Sequence, residues 1–540
     1  MSKNSEFRAY PFISKSLEDF GWDIRSPIKH PSGQVFTQNE ALHDTRLKPL
    51  LNRQKPENIV KVTDDVFWVI EAKAEHGELN KAIDEAKHYA AEINKSREVK
   101  CLFTTGVAGH ENTTFLVETH FFDGRYWKRV QINSVDTTGF IDKHQALEII
   151  KLNDPNLKNQ EIPEELFLEK ANRINQILHE GAINKRNRAR VMASLLLALV
   201  EDDYMRISND PTTLIEDINS RVRALLDKYG KVNFAQEIAI NLPTSRDNHR
   251  KNRKALVESL QELRSINIKS AVNSGTDLLG QFYEIFLKYA NDAKEIGIVL
   301  TPRHITRFGV ETLNVTDRDY ILDPTCGTGG FLVAALDQVK KSSPKSFDRF
   351  KKSHIFGVEQ DAEVVALALV NMIFRGDGNS HIYEGNTFDN VFYKVDKQPE
   401  KIKYKDYEKM FNENRRPERF ITRTLMNPPF AVQEQEYRFV DHALNQMIDG
   451  GLLFAVLPTS TMSSTANGRG EVTWRQNLIK RHTLKAVIKL SDDLFMPNAH
   501  KGTYAVVIEA WKPHNDSKVF WAITNQVGGF PISENVTSRN

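Results

Sequence analysis

Apolar and polar positions along the first 145 residues follow both helical and strand-like periods. The spacing predicts an amphipathic helix over residues 7–20, which Gly21 ends. Two β-rich runs at 58–62 and 66–72 are separated by a short polar turn, which is typical of a hairpin. The other elements predicted in this segment are a helix at 79–95 and strands at 100–104 and 114–121. The mixture predicts a mixed α/β domain over residues 1–145.

The pattern turns helical between residues 155 and 295 and alternates between strands and helices from residue 296. Pro163 and Pro211 each open a predicted helix, and the runs 193–200 and 277–289 are apolar at helical spacing. Strands are predicted at 320–322, 355–358, 420–426, 451–457, 484–490 and 504–510. Strands that alternate with helices indicate a doubly wound, Rossmann-like sheet. We therefore predict an α/β protein with domains at 1–145, 155–295 and 296–515 and a C-terminal tail at 516–540.

Composition narrows the class of protein. Hydrophobic residues make up 40% of the 540 residues and charged residues 27%, which excludes a disordered chain. No run reaches the roughly 18 apolar residues of a membrane helix, and the N-terminus lacks the apolar core of a secretory signal. The two cysteines, Cys101 and Cys326, are far apart, and no histidines stand at metal-ligand spacing. This excludes a disulfide framework or a zinc site and favours a cytoplasmic protein.

Local charge is more informative than the net charge of +2. Basic residues cluster at 185–190, 246–254 and 415–423. Such clusters attract phosphate backbones, although each could equally be a solvated helix face. Taken together with the motifs described next, the three clusters favour a nucleic-acid partner.

A glycine-rich stretch, DPTCGTGGFL at 323–332, follows one predicted strand and leads into an apolar helix. Glycines let the backbone approach a ligand closely, but such a turn also occurs without a ligand. Glu359 stands at the end of the next predicted strand, where an acid in a doubly wound sheet takes ribose hydroxyls. The loop and the acid together predict a cofactor site.

The stretch Asn427-Pro428-Pro429-Phe430 follows a third predicted strand. The Asn427 amide oxygen and the Pro428 carbonyl can accept hydrogen bonds from an exocyclic amino group and so turn its lone pair toward an electrophilic methyl. Phe430 can stack on a flipped base. Asn-Pro alone is a common turn, so the glycine loop and Glu359 are what favour a methyl-transfer site.

These stretches, with GIVLTPR at 297–303, resemble the N6-adenine DNA methyltransferases, above all the modification subunits of type I restriction systems and their fused relatives. The resemblance covers about residues 160–515. It implies that the target adenine is held at 427–430 and that S-adenosylmethionine is bound by Ile298, Val299, Leu300, Thr301, Pro302, Arg303, Asp323, Thr328, Gly329, Gly330, Glu359 and Asn386. Asn386 stands where many relatives carry aspartate. Its amide oxygen can still accept from the cofactor's adenine, so we expect weaker binding at most.

A second motif lies in VIEAK at 69–73. Glu71 and Lys73 share one face of a strand, with the Ala72 carbonyl between them, and Glu57 begins the preceding strand. Glu57, Glu71 and that carbonyl offer the oxygen ligands that Mg²⁺ prefers, and Lys73 could position or activate a water. A surface hairpin would also explain the tripeptide, but the apolar run at 66–70 favours a central strand.

This second motif resembles the PD-(D/E)xK nuclease fold at the N-terminus of fused restriction enzymes. Glu57 replaces the usual aspartate, and Glu85 with Tyr89 stands where a Gln-x-x-x-Tyr motif is common. The resemblance implies an endonuclease with one further acid from the first helix, for which Glu6 and Glu18 both remain open. Asp64 and Asp65 are alternative ligands that we expect to be exposed in the turn.

The two motifs together predict a restriction-modification enzyme of phage defence, which methylates adenine in a specific DNA sequence and cuts unmodified DNA with Mg²⁺. About 30 residues follow the last predicted strand, too few for a target-recognition domain. Such a domain either stands in a separate subunit or is lost by truncation; we favour a separate specificity subunit and expect a hetero-oligomer. Three alternatives remain: a methyltransferase with a degenerate nuclease domain, an RNA or protein methyltransferase, and a cofactor-sensing scaffold without activity.

Overall fold

The structure is a computed structural model in which the chain forms two compact units. The first comprises Met1–Lys228 and Ala239–Ile285, and the second Tyr229–Ile238 and Phe286–Asn540. The residues described are 8–51, 55–158, 160, 162–201, 207–242, 246–270, 301–373, 381–412, 417–430, 434–463, 470–492, 494 and 502–524. The predicted helix at 277–289 lies outside them.

The first unit is built on a sheet of six described strands in sequential order. The strands are β1 (Val35–Thr37), β2 (Asn58–Lys61), β3 (Val66–Lys73), β4 (Lys100–His110), β5 (Thr114–Phe122) and β6 (Trp127–Arg129). β3 and β4 are parallel, and the other neighbours are antiparallel. Every residue of β3 is buried, which explains why its sequence is apolar without alternation.

Helices of the first unit are α1 (Ala9–Asp19), α2 (Lys48–Leu51), α3 (Leu79–Ile93), α4 (Lys143–Leu152), α5 (Glu164–Glu180), α6 (Lys185–Glu201), α7 (Pro211–Lys228) and α9 (Arg246–Ser265). A small three-stranded sheet holds β7 (Gln131–Ile132), β8 (Val135–Asp136) and β9 (Asn156–Leu157). α3 connects β3 to β4 and packs on both through an apolar stripe at helical spacing, including Ala82, Ala86 and Ala90. Gly106 of β4 permits this close packing, since a Cβ there would lie 2.6 Å from the Ile83 side chain.

Eight described strands form the main sheet of the second unit, in the order β12-β11-β10-β15-β16-β18-β17-β19. Their bounds are β10 (Ile321–Asp323), β11 (Ile355–Glu359), β12 (His381–Glu384), β15 (Ile421–Met426), β16 (Met447–Pro458), β17 (Thr483–Lys489), β18 (Thr503–Glu509) and β19 (Phe520–Ile523). The first five in spatial order are parallel, and β18 runs antiparallel to both of its neighbours. A separate hairpin holds β13 (Asn390–Val395) and β14 (Gln398–Lys403).

The helices of the second unit are α8 (Ala235–Ile238), α10 (Arg303–Thr312), α11 (Gly330–Ser342), α12 (Phe347–Ser353), α13 (Ala362–Ile373), α14 (Tyr404–Asn412), α15 (Glu436–Gln446), α16 (Thr459–Ser463) and α17 (Gly470–Arg481). Short 3₁₀ turns in the chain lie at Glu40–His43, His76–Glu78, Val232–Phe234, Pro344–Ser346 and Thr387–Asp389. Residues 364–373 of α13 are all buried, because strands β11 and β12 and the segment around α8 contact this helix.

The strand order reverses between β10 and β15. β11 and β12 extend the sheet on one side of β10, and β15 and β16 extend it on the other. The loops that follow β10 and β15 therefore leave the same edge of the sheet side by side. In doubly wound sheets this crevice is where ligands bind.

Candidate active sites

Main-chain N–H groups of the loop after β10 donate hydrogen bonds to β11. The Cys326 N–H donates to the Val358 carbonyl at 2.9 Å, and the Gly327 N–H donates to a Glu359 carboxylate oxygen at 3.0 Å. Gly329 has φ +86°, and a Cβ there would meet the Met372 side chain at 3.0 Å, so this position favours glycine in both conformation and space. The loop thus presents its backbone at the start of α11.

Two carboxyl groups flank this loop. Asp323 is fully buried, and burial raises the pKa of its carboxyl well above the usual range, with a further increase from the charge of Glu359. The other Glu359 oxygen accepts from the Gln360 and Asp361 N–H groups at 2.8 and 3.1 Å. A cationic ligand group beside Asp323 would favour its ionised form.

Asn427 follows β15 directly, and its amide lies in the same crevice. Its Nδ2 donates to the Thr301 hydroxyl oxygen at 3.0 Å, whereas its buried Oδ1 has no hydrogen-bond partner among the described residues. A buried acceptor without a donor costs about 1–3 kcal/mol. Pro428 is buried, Pro429 exposed and Phe430 half-buried. The structure therefore places a hydrogen-bond acceptor, Asn427 Oδ1, at the position where the sequence predicted that an amino group binds.

Other predicted cofactor residues lie around the same loops. Pro302 caps α10, so that Thr301 and Arg303 flank its first turn. The Thr328 carbonyl accepts from the Asn371 side chain at 3.1 Å. Asn386 is exposed, and its Oδ1 accepts from the Phe388 N–H at 3.0 Å, so its amide already caps a turn. Ile298, Val299 and Leu300 lie outside the described residues.

The VIEAK motif forms a buried polar cluster in the first unit. Glu57, Glu71 and Lys73 are 6%, 3% and 5% exposed. The Glu57 N–H donates to Glu71 Oε1 at 3.1 Å, and Gln38 donates to Glu57 Oε2 at 2.7 Å. Lys73 Nζ lies 2.6 Å from Glu85 Oε2 on α3. The structure thus brings together the residues that the sequence singled out, and it adds Gln38.

Burial, together with the charges of Glu57 and Glu85, raises the pKa of Glu71 to about 8, although the Glu57 N–H and the Lys73 ammonium act in the opposite direction. Burial and the charges of Glu71 and Glu85 also raise the pKa of the Tyr89 phenol. A buried carboxyl group whose pKa is raised partly by a neighbouring carboxylate fits a cation between the two. Magnesium prefers oxygen donors of this kind, and the Ala72 carbonyl belongs to the same strand.

Among the residues that the structure describes, no group of three or more His, Cys, Asp or Glu side chains is placed to hold a metal ion. A cation at this cluster would therefore depend on two carboxylates and a main-chain oxygen. Asp64 and Asp65 are exposed in the turn, as predicted. Glu18 is exposed on α1, and Glu6 lies outside the described residues.

The basic clusters are only partly available to a nucleic acid. Arg188 is buried, and it donates to the Ile183 carbonyl, Asn175 and His179. Arg423 donates to the Leu313 and Thr422 carbonyls. The cluster on α9 keeps Arg250, Lys251 and Lys254 exposed. Arg188 and Arg423 are thus engaged by groups within the protein, and a basic run in the sequence does not show which of its arginines turn inward.

Comparisons with known proteins bear on the site formed by the glycine loop, Glu359 and Asn427. Residues 274–527 match the family described as N-6 DNA Methylase. The type II restriction enzyme and methyltransferase RM.BcgI of Heyndrickxia coagulans is 29% identical over 451 residues, covering 77% of this chain and 65% of its own. The type I restriction enzyme EcoEI methylase subunit of Escherichia coli is 28% identical over 270 residues, covering 46% of this chain and 49% of its own.

The matched part of the chain is similar to the N6-adenine DNA methyltransferases found in restriction-modification systems. The chain spans about half to two thirds of the length of these two relatives. A modification subunit of a putative type I restriction enzyme from Vibrio vulnificus superposes with a TM-score of 0.49 at 16% identity, over 68% of this chain and 86% of its own.

No helix in the described part of the chain combines the length and the apolar character needed to span a bilayer.

Sequence reasoning missed three polar partners of the predicted residues. Thr301 was assigned to the cofactor alone, and Asn371 and Gln38 were not considered. Each contacts a residue that is distant along the chain, and a single sequence gives no signal for such a pair. Of the three, Asn371 alone is marked in the sequence, because it is a polar residue within the apolar run ALALVNMI.

Proposed function

We propose that this protein transfers a methyl group from S-adenosylmethionine to the N6 atom of adenine within a specific DNA sequence. The observation that supports this most directly is the buried Oδ1 of Asn427, an acceptor without a partner among the described residues, at the strand-order reversal beside the glycine loop. An adenine amino group supplies the donor that this oxygen lacks.

The chain's own residues act chiefly by position. Asn427 Oδ1 and the Pro428 carbonyl accept from the amino group, so that its lone pair points away from the ring plane toward the methyl donor. Phe430 stacks on the flipped base. S-adenosylmethionine would supply the electrophilic methyl group. The residues that would hold it include Thr301–Arg303, Asp323, the backbone of Thr328–Gly330, Glu359 and Asn386.

We further propose that the first unit cleaves unmodified DNA. Glu57, Glu71 and the Ala72 carbonyl would hold Mg²⁺, which would polarise the scissile phosphate. Lys73 would orient the attacking water, and Glu85 would position Lys73 through their 2.6 Å ion pair. The burial of Glu71 and Lys73 supports this role, because ionisable side chains are rarely buried unless they are paired or belong to a functional site.

For the whole protein we propose double-stranded DNA as substrate, a separate specificity subunit as partner, a hetero-oligomeric assembly and a cytoplasmic place in phage defence. The exposed cationic face of α9, with Arg250, Lys251 and Lys254, supports contact with a phosphate backbone.

The test uses unmethylated plasmid DNA, Mg²⁺ and S-adenosylmethionine, with the chain purified together with a co-expressed specificity subunit. Wild type is compared with Lys73→Ala, Asn427→Ala and, as a matched control, Lys95→Ala, whose lysine is exposed at the end of the same unit's helix α3. We expect Lys73→Ala to abolish cutting and keep adenine methylation, and Asn427→Ala to lower methyl transfer at least a hundredfold. Lys95→Ala should behave as wild type.

A methyltransferase with a degenerate nuclease is the second candidate, because the described residues hold no three-member group for a metal. Methylation by wild type without cutting by any variant would establish it. Methyl transfer to RNA or protein but not to DNA would contradict the proposed substrate, and binding of the cofactor without any transfer would indicate a scaffold.

A further inference from the structure

A hydrogen bond between two distant loops orients the side chain that receives the target base. Asn427 Nδ2 donates to Thr301 Oγ1 at 3.0 Å across 126 positions of sequence. An asparagine amide has a donor and an acceptor end of nearly the same shape, so its neighbours decide which end faces a ligand. With the amine end bound to Thr301, the oxygen end is the one left in the crevice.

Thr301 is itself held firmly. Pro302, which follows it, caps α10, and the Pro302 carbonyl accepts from the Ile305 and Thr306 N–H groups at 2.9 and 3.1 Å. One turn further, a Cβ on Gly309 would lie 2.9 Å from the Phe454 ring of β16. Helix α10, which begins directly after Pro302, thus packs closely on the sheet that carries Asn427.

A threonine hydroxyl has one proton and can either donate or accept. If the proton is given to another acceptor, such as a bound ligand in the crevice, the oxygen can only accept, and it then selects the amine end of Asn427. A ligand that takes the Thr301 proton would therefore also fix the Asn427 amide with its oxygen toward the base. In this way the hydroxyl connects binding of the cofactor with the orientation of Asn427.

We infer that Thr301 is a positioning residue for the target base, which sets the orientation of the Asn427 amide in addition to its proposed contact with the cofactor. The inference rests on the proposed methyl transfer to adenine. It predicts that the Thr301 hydroxyl contributes to the chemical step and not only to cofactor affinity.

The experiment measures single-turnover methyl transfer to unmethylated DNA at saturating S-adenosylmethionine, using the complex that methylates DNA. Thr301→Val removes the hydroxyl and keeps the shape, Thr301→Ser keeps the hydroxyl, and Thr312→Val makes the matched change at the exposed last residue of α10. We expect the rate to fall at least tenfold in Thr301→Val, less than threefold in Thr301→Ser and not at all in Thr312→Val.

A double-mutant cycle with Asn427→Asp isolates the orienting role. A carboxylate presents an acceptor to the base whichever way it turns, so adding Thr301→Val to Asn427→Asp should lower the rate less than threefold. An equal tenfold loss in both backgrounds would overturn the inference, because the hydroxyl would then act independently of the amide.

Cofactor affinity, measured by calorimetry without DNA, separates the remaining outcomes. A raised dissociation constant with an unchanged saturated rate would make Thr301 a cofactor residue only and overturn the inference. Thr301→Ala replaces Thr301→Val if the latter does not bind cofactor or unfolds early. If wild type transfers no methyl group to DNA, the proposed function itself fails; if wild type does and Thr301→Val equals it, only this inference fails.

Discussion

Asn371 shows how one buried amide can hold a binding loop. It is 2% exposed on α13, and it donates to the Thr328 carbonyl at 3.1 Å. Replacing it with a similarly sized apolar residue leaves that carbonyl without this donor. We expect Asn371→Leu to destabilise the protein by about 1–3 kcal/mol and to weaken S-adenosylmethionine binding, as measured by thermal unfolding and calorimetry.

The matched control is Asn445→Leu, whose side chain is exposed on α15. It should leave both quantities unchanged. Equal loss of stability without any loss of cofactor affinity in Asn371→Leu would show that the amide supports the fold but not the loop.

His482 makes the stability of the second unit depend on pH. Its Nδ1 accepts from the Trp511 N–H at 2.9 Å, and burial, with the charges of Arg481 and Arg419, lowers its pKa to about 4. The unfolded chain takes up the proton near pH 6.5 and the folded chain only near pH 4. Stability is therefore lost as the pH falls through this window, by about 3 kcal/mol across all of it.

Urea unfolding of wild type at pH 7 and pH 4.5, compared with His482→Asn, measures this loss. The asparagine oxygen can still accept from Trp511 but does not titrate, so the variant should lose less stability at the lower pH. His144→Gln, at a histidine whose side chain is 85% exposed, should show the wild-type dependence. An identical pH dependence in all three proteins would contradict the assignment.

At the scale of elements, a buried ion cluster joins three helices of the first unit. Lys170 of α5 lies 2.5 Å from Asp19 at the end of α1 and 2.7 Å from Glu262 of α9. The Lys170 side chain is 4% exposed and that of Asp19 3%. Lys170→Met would leave the Asp19 and Glu262 carboxylates with the more exposed cations Lys15 and Arg173, and we expect it to cost about 3 kcal/mol in thermal or urea unfolding.

Arg173→Met is the matched change, because Arg173 pairs with the same Glu262 from a side chain that is 51% exposed. It should cost no more than about 1 kcal/mol, as exposed pairs do. If the two variants lost equal stability, burial would not explain the contribution of the Lys170 cluster to the free energy of unfolding.

The sequence predicted those elements whose apolar pattern is long or unambiguous. The strand predicted at 66–72 is β3 (Val66–Lys73), and the helix predicted at 79–95 is α3 (Leu79–Ile93). The hairpin of β13 and β14 was missed because its lysines and acids hide the alternation, as in the exposed and half-exposed residues of Gln398–Lys403. β12 was missed because four residues with one buried apolar side chain give no periodic signal.

The candidate sites could be recognised from the sequence where their residues form a contiguous motif. They could not be recognised where residues distant along the chain complete them. DPTCGTGG and VIEAK could be read directly, because a strand end and its loop lie together in sequence. The approach of Thr301 to Asn427 and of Gln38 to Glu57 depends on strand order and helix packing, which the local pattern does not contain.

At the scale of the whole molecule, the two candidate sites belong to different compact units. The glycine loop, Glu359 and Asn427 are in the second unit, and Glu57, Glu71 and Lys73 are in the first. A ligand stabilises the unit whose folded form binds it, by about 2.7 kcal/mol at a hundred times its dissociation constant. S-adenosylmethionine should therefore protect the second unit selectively.

Hydrogen exchange read by mass spectrometry, with and without saturating S-adenosylmethionine and in the absence of DNA, measures this protection. We expect slower exchange in peptides that cover β10, α11 and β11, and unchanged exchange in those that cover β3 and α3. Asp323→Ala, which removes a proposed cofactor residue, should abolish the effect, whereas Lys73→Ala should leave it intact. Protection of β3 and α3 in wild type would contradict independent units and would mean that cofactor binding reaches the candidate nuclease site before any DNA is bound.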